Sequence, residues 1–86
     1  MPYTVRIKRQ ARNKLQSLSR IDKNRITEKI VMLGNNPDDS RLDVKQLQGE
    51  SYHRLLVGQW RIIFERLNQL QIVLIEKIKP RGDVYK

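Results

Sequence analysis

Residues Tyr3 to Lys8 alternate, with Tyr3, Val5 and Ile7 on one side and Thr4, Arg6 and Lys8 on the other. That period of two predicts a short, half-buried strand. From about Arg9 the apolar positions become Ala11, Leu15 and Leu18, which is helical spacing. A second helix is predicted to start at Ile21-Asp22, with Asp22 as N-cap and Ile21 and Ile26 as a hydrophobic staple. Its stripe continues through Ile30 and Leu33 and stops at Gly34-Asn35-Asn36-Pro37. Two helices joined near Ser19-Arg20-Ile21 read as an antiparallel helical hairpin whose apolar stripes face a core. Asn35 to Asp43 reads as loop. Val44 and Leu47 anchor the chain before Gly49, which permits a turn.

The segment from Tyr52 to Glu65 is written as a β-hairpin: Tyr-His-Arg-Leu-Leu-Val, then Gly58-Gln59, then Trp-Arg-Ile-Ile-Phe-Glu. A two-residue loop with Gly at its first position suits a type II′ turn, whose twist matches the flanking strands. Val57 then opposes Trp60, Leu55 opposes Ile62, and His53 opposes Phe64. This nearly apolar face meets the core. The other face carries Tyr52, Arg54, Leu56, Arg61, Ile63 and Glu65. Arg54 and Arg61 become diagonal neighbours, placed to bind one phosphate together. The hairpin by itself favours a plainer reading, a solvated basic sheet face.

Leu67-Asn68-Gln69-Leu70 is the next turn, and Gln71 to Ile78 the following strand. Its run Ile72-Val73-Leu74-Ile75 is apolar on both faces, as an interior strand requires. A tight turn at Asn68-Gln69 sets Ile75 beside Ile62 and Glu76 beside Arg61, where Glu76 holds the arginine. Pro80-Arg81-Gly82 ends the strand, and the chain closes on an Arg-x-x-x-Tyr ending, Arg81 to Tyr85. The predicted order is β-α-α-β-β-β. This is an α+β fold, a helical hairpin packed on one face of a mostly antiparallel four-stranded sheet.

Size and charge narrow the function. Residues 1–86 suffice for one domain with a single modest core. The sequence has 18 Lys and Arg against 9 Asp and Glu, a formal net charge of +9. Its pI is near 10.4 and its mean hydropathy -0.66. Such an excess points to a polyanionic partner, either nucleic acid or an acidic protein. Arg9, Arg12, Lys14, Arg20, Lys23, Arg25 and Lys29 read as an ordinary solvated helical surface. No apolar run is long enough to span a membrane or to serve as a signal peptide. With no cysteine and one histidine, no metal centre or cofactor is expected, and the address reads as cytoplasmic.

Three stretches carry a resemblance: Leu47-x-Gly49, His53 through Phe64, and Pro80-Arg81-x-x-Val84-Tyr85. Together they resemble the RelE/ParE toxin superfamily, and within it the RelE-type mRNA interferases. The resemblance implies the toxin of a type II toxin–antitoxin pair, a ribosome-dependent endoribonuclease that cuts mRNA in the A site. It implies an acidic RelB-like antitoxin, the ribosome and mRNA as partners, with no metal and no membrane. Carried over position by position, the functional residues are Arg54, Arg61, Arg81 and Tyr85. The chain departs from its relatives at Leu56, where they carry a second basic residue, and at Pro80, where many have His or Lys. A lysine such as Lys45, Lys77 or Lys79 is a candidate to replace the missing cation. Relatives of the ParE type share the scaffold and inhibit gyrase without nuclease activity. That alternative stays open, as does a basic nucleic-acid-binding module.

The chemistry suits these residues. Cleaving RNA through its own 2′-hydroxyl needs a proton acceptor, cations on the phosphate oxygens and a proton for the leaving 5′-oxygen. Arg61 and Arg81 supply permanent charge and bidentate contacts. Tyr85, ordinarily with a pKa near ~10, serves as base once nearby arginines make it more acidic, or as a stacking platform. Glu50 is the other candidate base, against its plainer reading as a loop carboxylate. His53 shares a face with Phe64 and reads as a packing residue, and Trp60 reads as core.

Overall fold

The computed structural model describes residues 2–47 and 51–82. The chain runs β1 (Thr4–Ile7), α1 (Arg9–Gln16), α2 (Arg20–Asn35), β2 (Asp43–Gln46), β3 (Tyr52–Val57), β4 (Trp60–Leu67) and β5 (Ile72–Pro80). The five strands form one sheet in the order β1-β5-β4-β3-β2. β1 pairs parallel with β5, and every other neighbour is antiparallel. The architecture is α+β, as the hydrophobic pattern predicts. The count of four strands is corrected to five. Asp43-Val44-Lys45-Gln46, assigned to a loop and an anchor, pairs with β3 as an edge strand.

The core lies between the helices and one sheet face. Ala11, Ile26, Ile30 and Leu33 from the helices meet Leu55, Val57, Ile62, Phe64, Val73, Ile75 and Ile78 from the strands. Each of these side chains is buried, which is the dominant favourable term for so small a chain. The hairpin register is the predicted one: Val57 faces Trp60, Leu55 faces Ile62 and His53 faces Phe64. Gly58 has φ 56° while Gln59 is not left-handed, as a type II′ turn requires.

Two local expectations are corrected. The α2 N-cap is Ser19, whose Oγ accepts from the Asp22 N–H at 3.2 Å. Asp22 sits inside the first turn, where its charge favours the positive end of the helix dipole. Ile21 is consequently exposed rather than part of a staple with Ile26. The second correction concerns β5. The β4–β5 loop spans four residues, Leu67 pairing with Ile72, because Gln71 adopts φ 54° and its N–H donates to the Asn68 carbonyl. A bulge opposite Ile63/Phe64 then shifts the register by one more residue. Ile62 therefore lies beside Ile78 rather than Ile75, and Arg61 lies beside Lys79 rather than Glu76.

Gly34 is packed against β1. The Tyr3 N–H donates to the Gly34 carbonyl at 2.6 Å, and a Cβ at Gly34 would lie 2.6 Å from Val5 Cγ2. Helix propensity favours Ala over Gly by about 1 kcal/mol, whereas overpacking costs about 1–3 kcal/mol. Val5 is β-branched and stiff, so the clash should win. Gly34→Ala should lower the denaturation midpoint, and Val5→Ala should restore part of it in the double variant. A stabilised single variant would show that this contact constrains nothing.

Acid sensitivity should come from the loop after α2. Hydrogen bonds and charge from Arg66 hold Asp38 below its ordinary value of 3.8, and the Arg41 contacts lower Asp39 to about 2. Depressed carboxyl pKa values contribute stability above the unfolded value and lose it as pH falls through the folded one. Melting temperature should therefore drop between pH 3.8 and about 2. The Asp38→Asn/Asp39→Asn variant should show a shallower drop across that window. An unchanged acid profile would remove these pairs from the account.

Candidate functional site

Alternation along paired strands sorts every side chain to one of two faces. The face away from the helices is organised in rows that cross the sheet from β2 to β5. One row runs Lys45, Arg54, Ile63, Lys77, and the next runs Asp43, Leu56, Arg61, Lys79. Arg81 follows two residues beyond Lys79, its N–H donating to the Gln59 carbonyl at 2.6 Å. Its Nη1 reaches the Gly58 carbonyl at 3.5 Å. Arg54, Arg61 and Arg81 thus step diagonally over β3, β4 and the end of β5. Each diagonal step is roughly 7–8 Å. Tyr85 and Glu50 lie outside the described residues, as do the turn at Gly49 and the tail from Asp83.

The three arginines differ in environment. Arg54 is largely covered, with 17% of its side chain exposed, and is held by the edge strand. Its Nη1 donates to both the Asp43 carboxylate and the Asp43 carbonyl, each at 3.2 Å. Both bonds use one nitrogen, so among the described residues the Nε and Nη2 edge of the guanidinium has no hydrogen-bond partner. Arg61 is half-buried between Leu56 and Lys79, its Nε fully covered. Arg81 is exposed at the sheet end.

The described acids on this face have partners of their own. Glu76 pairs with Lys8, Nζ to Oε1 2.8 Å, and does not hold Arg61. That hydrogen bond, with the Glu76 charge behind it, raises the Lys8 pKa. Glu65 accepts from Ser51 Oγ at 2.9 Å, and Asp43 serves Arg54. The face is left with a basic diagonal and a half-buried apolar strip, Leu56, Ile63 and Leu74, between the charges. Among the described residues no helix covers it.

His53 lies on the opposite face. It stacks on Phe64 with ring centroids 5.3 Å apart, and its Nδ1 donates to the Ser51 carbonyl at 2.8 Å. Trp60 packs against the core, with Lys14 Nζ 5.5 Å from its ring centroid. Sequence reasoning passed over three residues near the site. Asp43 aims Arg54, Lys14 covers Trp60, and Arg25 Nη1 lies 3.8 Å from where a Gly58 Cβ would be. The alternation of Val44 with Asp43 and Lys45 was the available signal for the first. Lys14 and Arg25 carry no local signal, since the fold alone brings α1 and α2 to the hairpin turn.

No family model matches the chain, and no curated protein sequence does. Solved structures do. A chain of the archaeal RelE–RelB complex from Pyrococcus horikoshii OT3 is 31% identical, with a TM-score of 0.85, over 98% of this chain and 100% of that one. The chain belongs to the RelE toxin family. The isolated E. coli RelE toxin shares the fold at 12% identity and a TM-score of 0.78, over 95% of this chain and 87% of that one. So does the toxin–antitoxin complex RelBE2 from Mycobacterium tuberculosis, at 24% identity and a TM-score of 0.80, over 96% and 95%. Among the described residues of this RelE-type chain, no group of His, Cys, Asp or Glu is arranged to hold a metal ion. No helix among them is long and apolar enough to cross a membrane.

Proposed function

We propose that this RelE-type toxin is a metal-independent endoribonuclease that cuts mRNA on the ribosome. The observation that carries the reading is the diagonal of Arg54, Arg61 and Arg81 on the sheet face away from the helices. A phosphodiester laid along it meets permanent cations on successive strands. In the reaction the 2′-oxygen gives up its proton and attacks phosphorus, the bond to the 5′-oxygen breaks, a 2′,3′-cyclic phosphate forms, and the leaving 5′-oxygen takes a proton from water. Arg61 and Arg81 stabilise the charge that develops on the non-bridging oxygens. Arg54, aimed by Asp43, binds the phosphate, with Lys45, Lys77 and Lys79 holding the flanking strand. Tyr85 takes the 2′-hydroxyl proton or stacks on a base. Guanidinium is a poor proton donor, so this equipment gains most from a ribosome that presents the RNA for in-line attack.

The partner that silences such a toxin is an acidic RelB-like antitoxin. Its segment would place carboxylates on the arginine diagonal and apolar residues on Leu56, Ile63 and Leu74. Relatives of known structure are found in RelE–RelB complexes, which supports the pairing.

Primer extension on mRNA from expressing cells should show discrete cuts within translated frames. Intact transcripts with damaged DNA would favour a gyrase poison instead. Arg61→Ala and Arg81→Ala should each lower ribosome-dependent cleavage by about 10²-fold or more, with melting temperature retained. Full activity in the folded double variant would refute the assigned site. Leu56→Lys should raise cleavage roughly tenfold, since it returns a cation beside Arg61 at a half-buried position. No gain would mean that Lys79, on the other side of Arg61, already fills the role.

A further inference from the structure

β5 outruns its partner on one side. β1 pairs only with Ile72 to Ile75 and then turns into α1, the Lys8 N–H donating to the Ile75 carbonyl at 3.0 Å. Residues 76–80 therefore have β4 on one edge and, among the described residues, no strand on the other. Beside that edge runs a groove of about 340 Å³, lined by Gln10, Asn13 and Lys14 of α1 and Lys77, Ile78 and Lys79 of β5. Its chemistry is mixed. Its surface is mainly apolar, with Ile78 in the floor, and three lysines and two carboxamide residues contribute to its walls. Lys14 is held at its end by the Trp60 ring.

The groove is continuous with the basic face. Lys79 neighbours Arg61 across β4–β5, so a strand crossing the arginine diagonal leaves the sheet over β5 at this edge. We propose that the α1–β5 groove is a second RNA subsite. It takes one nucleotide of the strand flanking the scissile bond, the phosphate on the lysines and the base or sugar on the Ile78 floor. The volume falls within the ~300–1,000 Å³ range of small-ligand sites. Ammonium groups and amide N–H groups suit phosphate oxygens and base edges. An extended acidic peptide is the competing occupant of a free strand edge. RNA is favoured over it because Lys79, which lines the groove, also sits beside Arg61, so the groove continues the basic face along which the nucleic acid is proposed to run. The inference rests on the nuclease reading, and it assigns a role to α1 that the arginine face does not require.

The test measures binding of the whole toxin to labelled 2′-O-methyl oligoribonucleotides, which resist cleavage. Wild type should bind a heptanucleotide about tenfold more tightly than a trinucleotide. Asn13→Asp and Lys14→Gln should each remove most of that gain and leave trinucleotide affinity unchanged. Lys14→Gln should also reduce the magnitude of the heptanucleotide's salt slope by about 0.7, the value of one single-strand phosphate contact. A photo-crosslinker at position 13 should capture the RNA. If lengthening the RNA gains nothing while the trinucleotide binds, the groove subsite is refuted and the arginine site stands. If neither length binds, both fail. Crosslinking to the antitoxin in place of RNA would give the groove to the peptide and overturn the proposal.

Discussion

The pairing of β3 with β4 through a two-residue turn decides which side of the sheet every later group occupies. A slip of β3 by one residue against β4 would carry Arg54 into the core and expose Leu55 and Val57. The register is held from both ends of the physical scale. Gly58 supplies the left-handed backbone that the tight turn demands. The burial of Leu55, Val57, Ile62 and Phe64 against the helices makes any other alignment costly. Placement of the arginines is thus a by-product of packing the other face. Charge on one side is positioned by apolar contact on the other.

β5 extends this logic with one deliberate irregularity. Val73 and Ile75 are buried at a spacing of two, and the next buried residue is Ile78 at a spacing of three. The bulge absorbs the extra residue, which keeps both halves of the strand on the core and lets the adjacent charges of Glu76 and Lys77 avoid it. Its effect on the site is to bring Lys79 beside Arg61 and Arg81 to the hairpin turn. Without it, the diagonal would not continue onto β5 in its present form. Glu76 pairs with Lys8.

Much of this was legible in the residues. Period-two alternation gave both faces of the hairpin, and Gly58-Gln59 gave its register. The apolar run in β5 marked an interior strand, and it does lie between β1 and β4. What stayed hidden depended on choices that local pattern does not make. Ser19 rather than Asp22 caps α2, because both residue types cap well and only the path of the chain selects between them. β2 is four residues long and mostly polar, so it pairs through its backbone and leaves little periodic signal. The loop length before β5 turned on Gln71 accepting a left-handed conformation, which a glutamine does not announce. Two adjacent charges, Glu76-Lys77, were the visible mark of the bulge. The long-range contacts of Lys14 and Arg25 with the hairpin end belong to the packed fold alone.

The central claim is that RNA lies on the face of the sheet away from α1 and α2. Titration of the isotope-labelled toxin with a cleavage-resistant single-stranded RNA, followed by backbone and arginine Nε–H resonances, tests it most directly. The account predicts the largest shifts at Arg54, Leu56, Arg61, Lys79 and Arg81, with Arg66 and the loop at residues 36–42 unmoved. Shifts confined to that loop and the Arg66 end, or spread evenly over the basic helical surface, would contradict it.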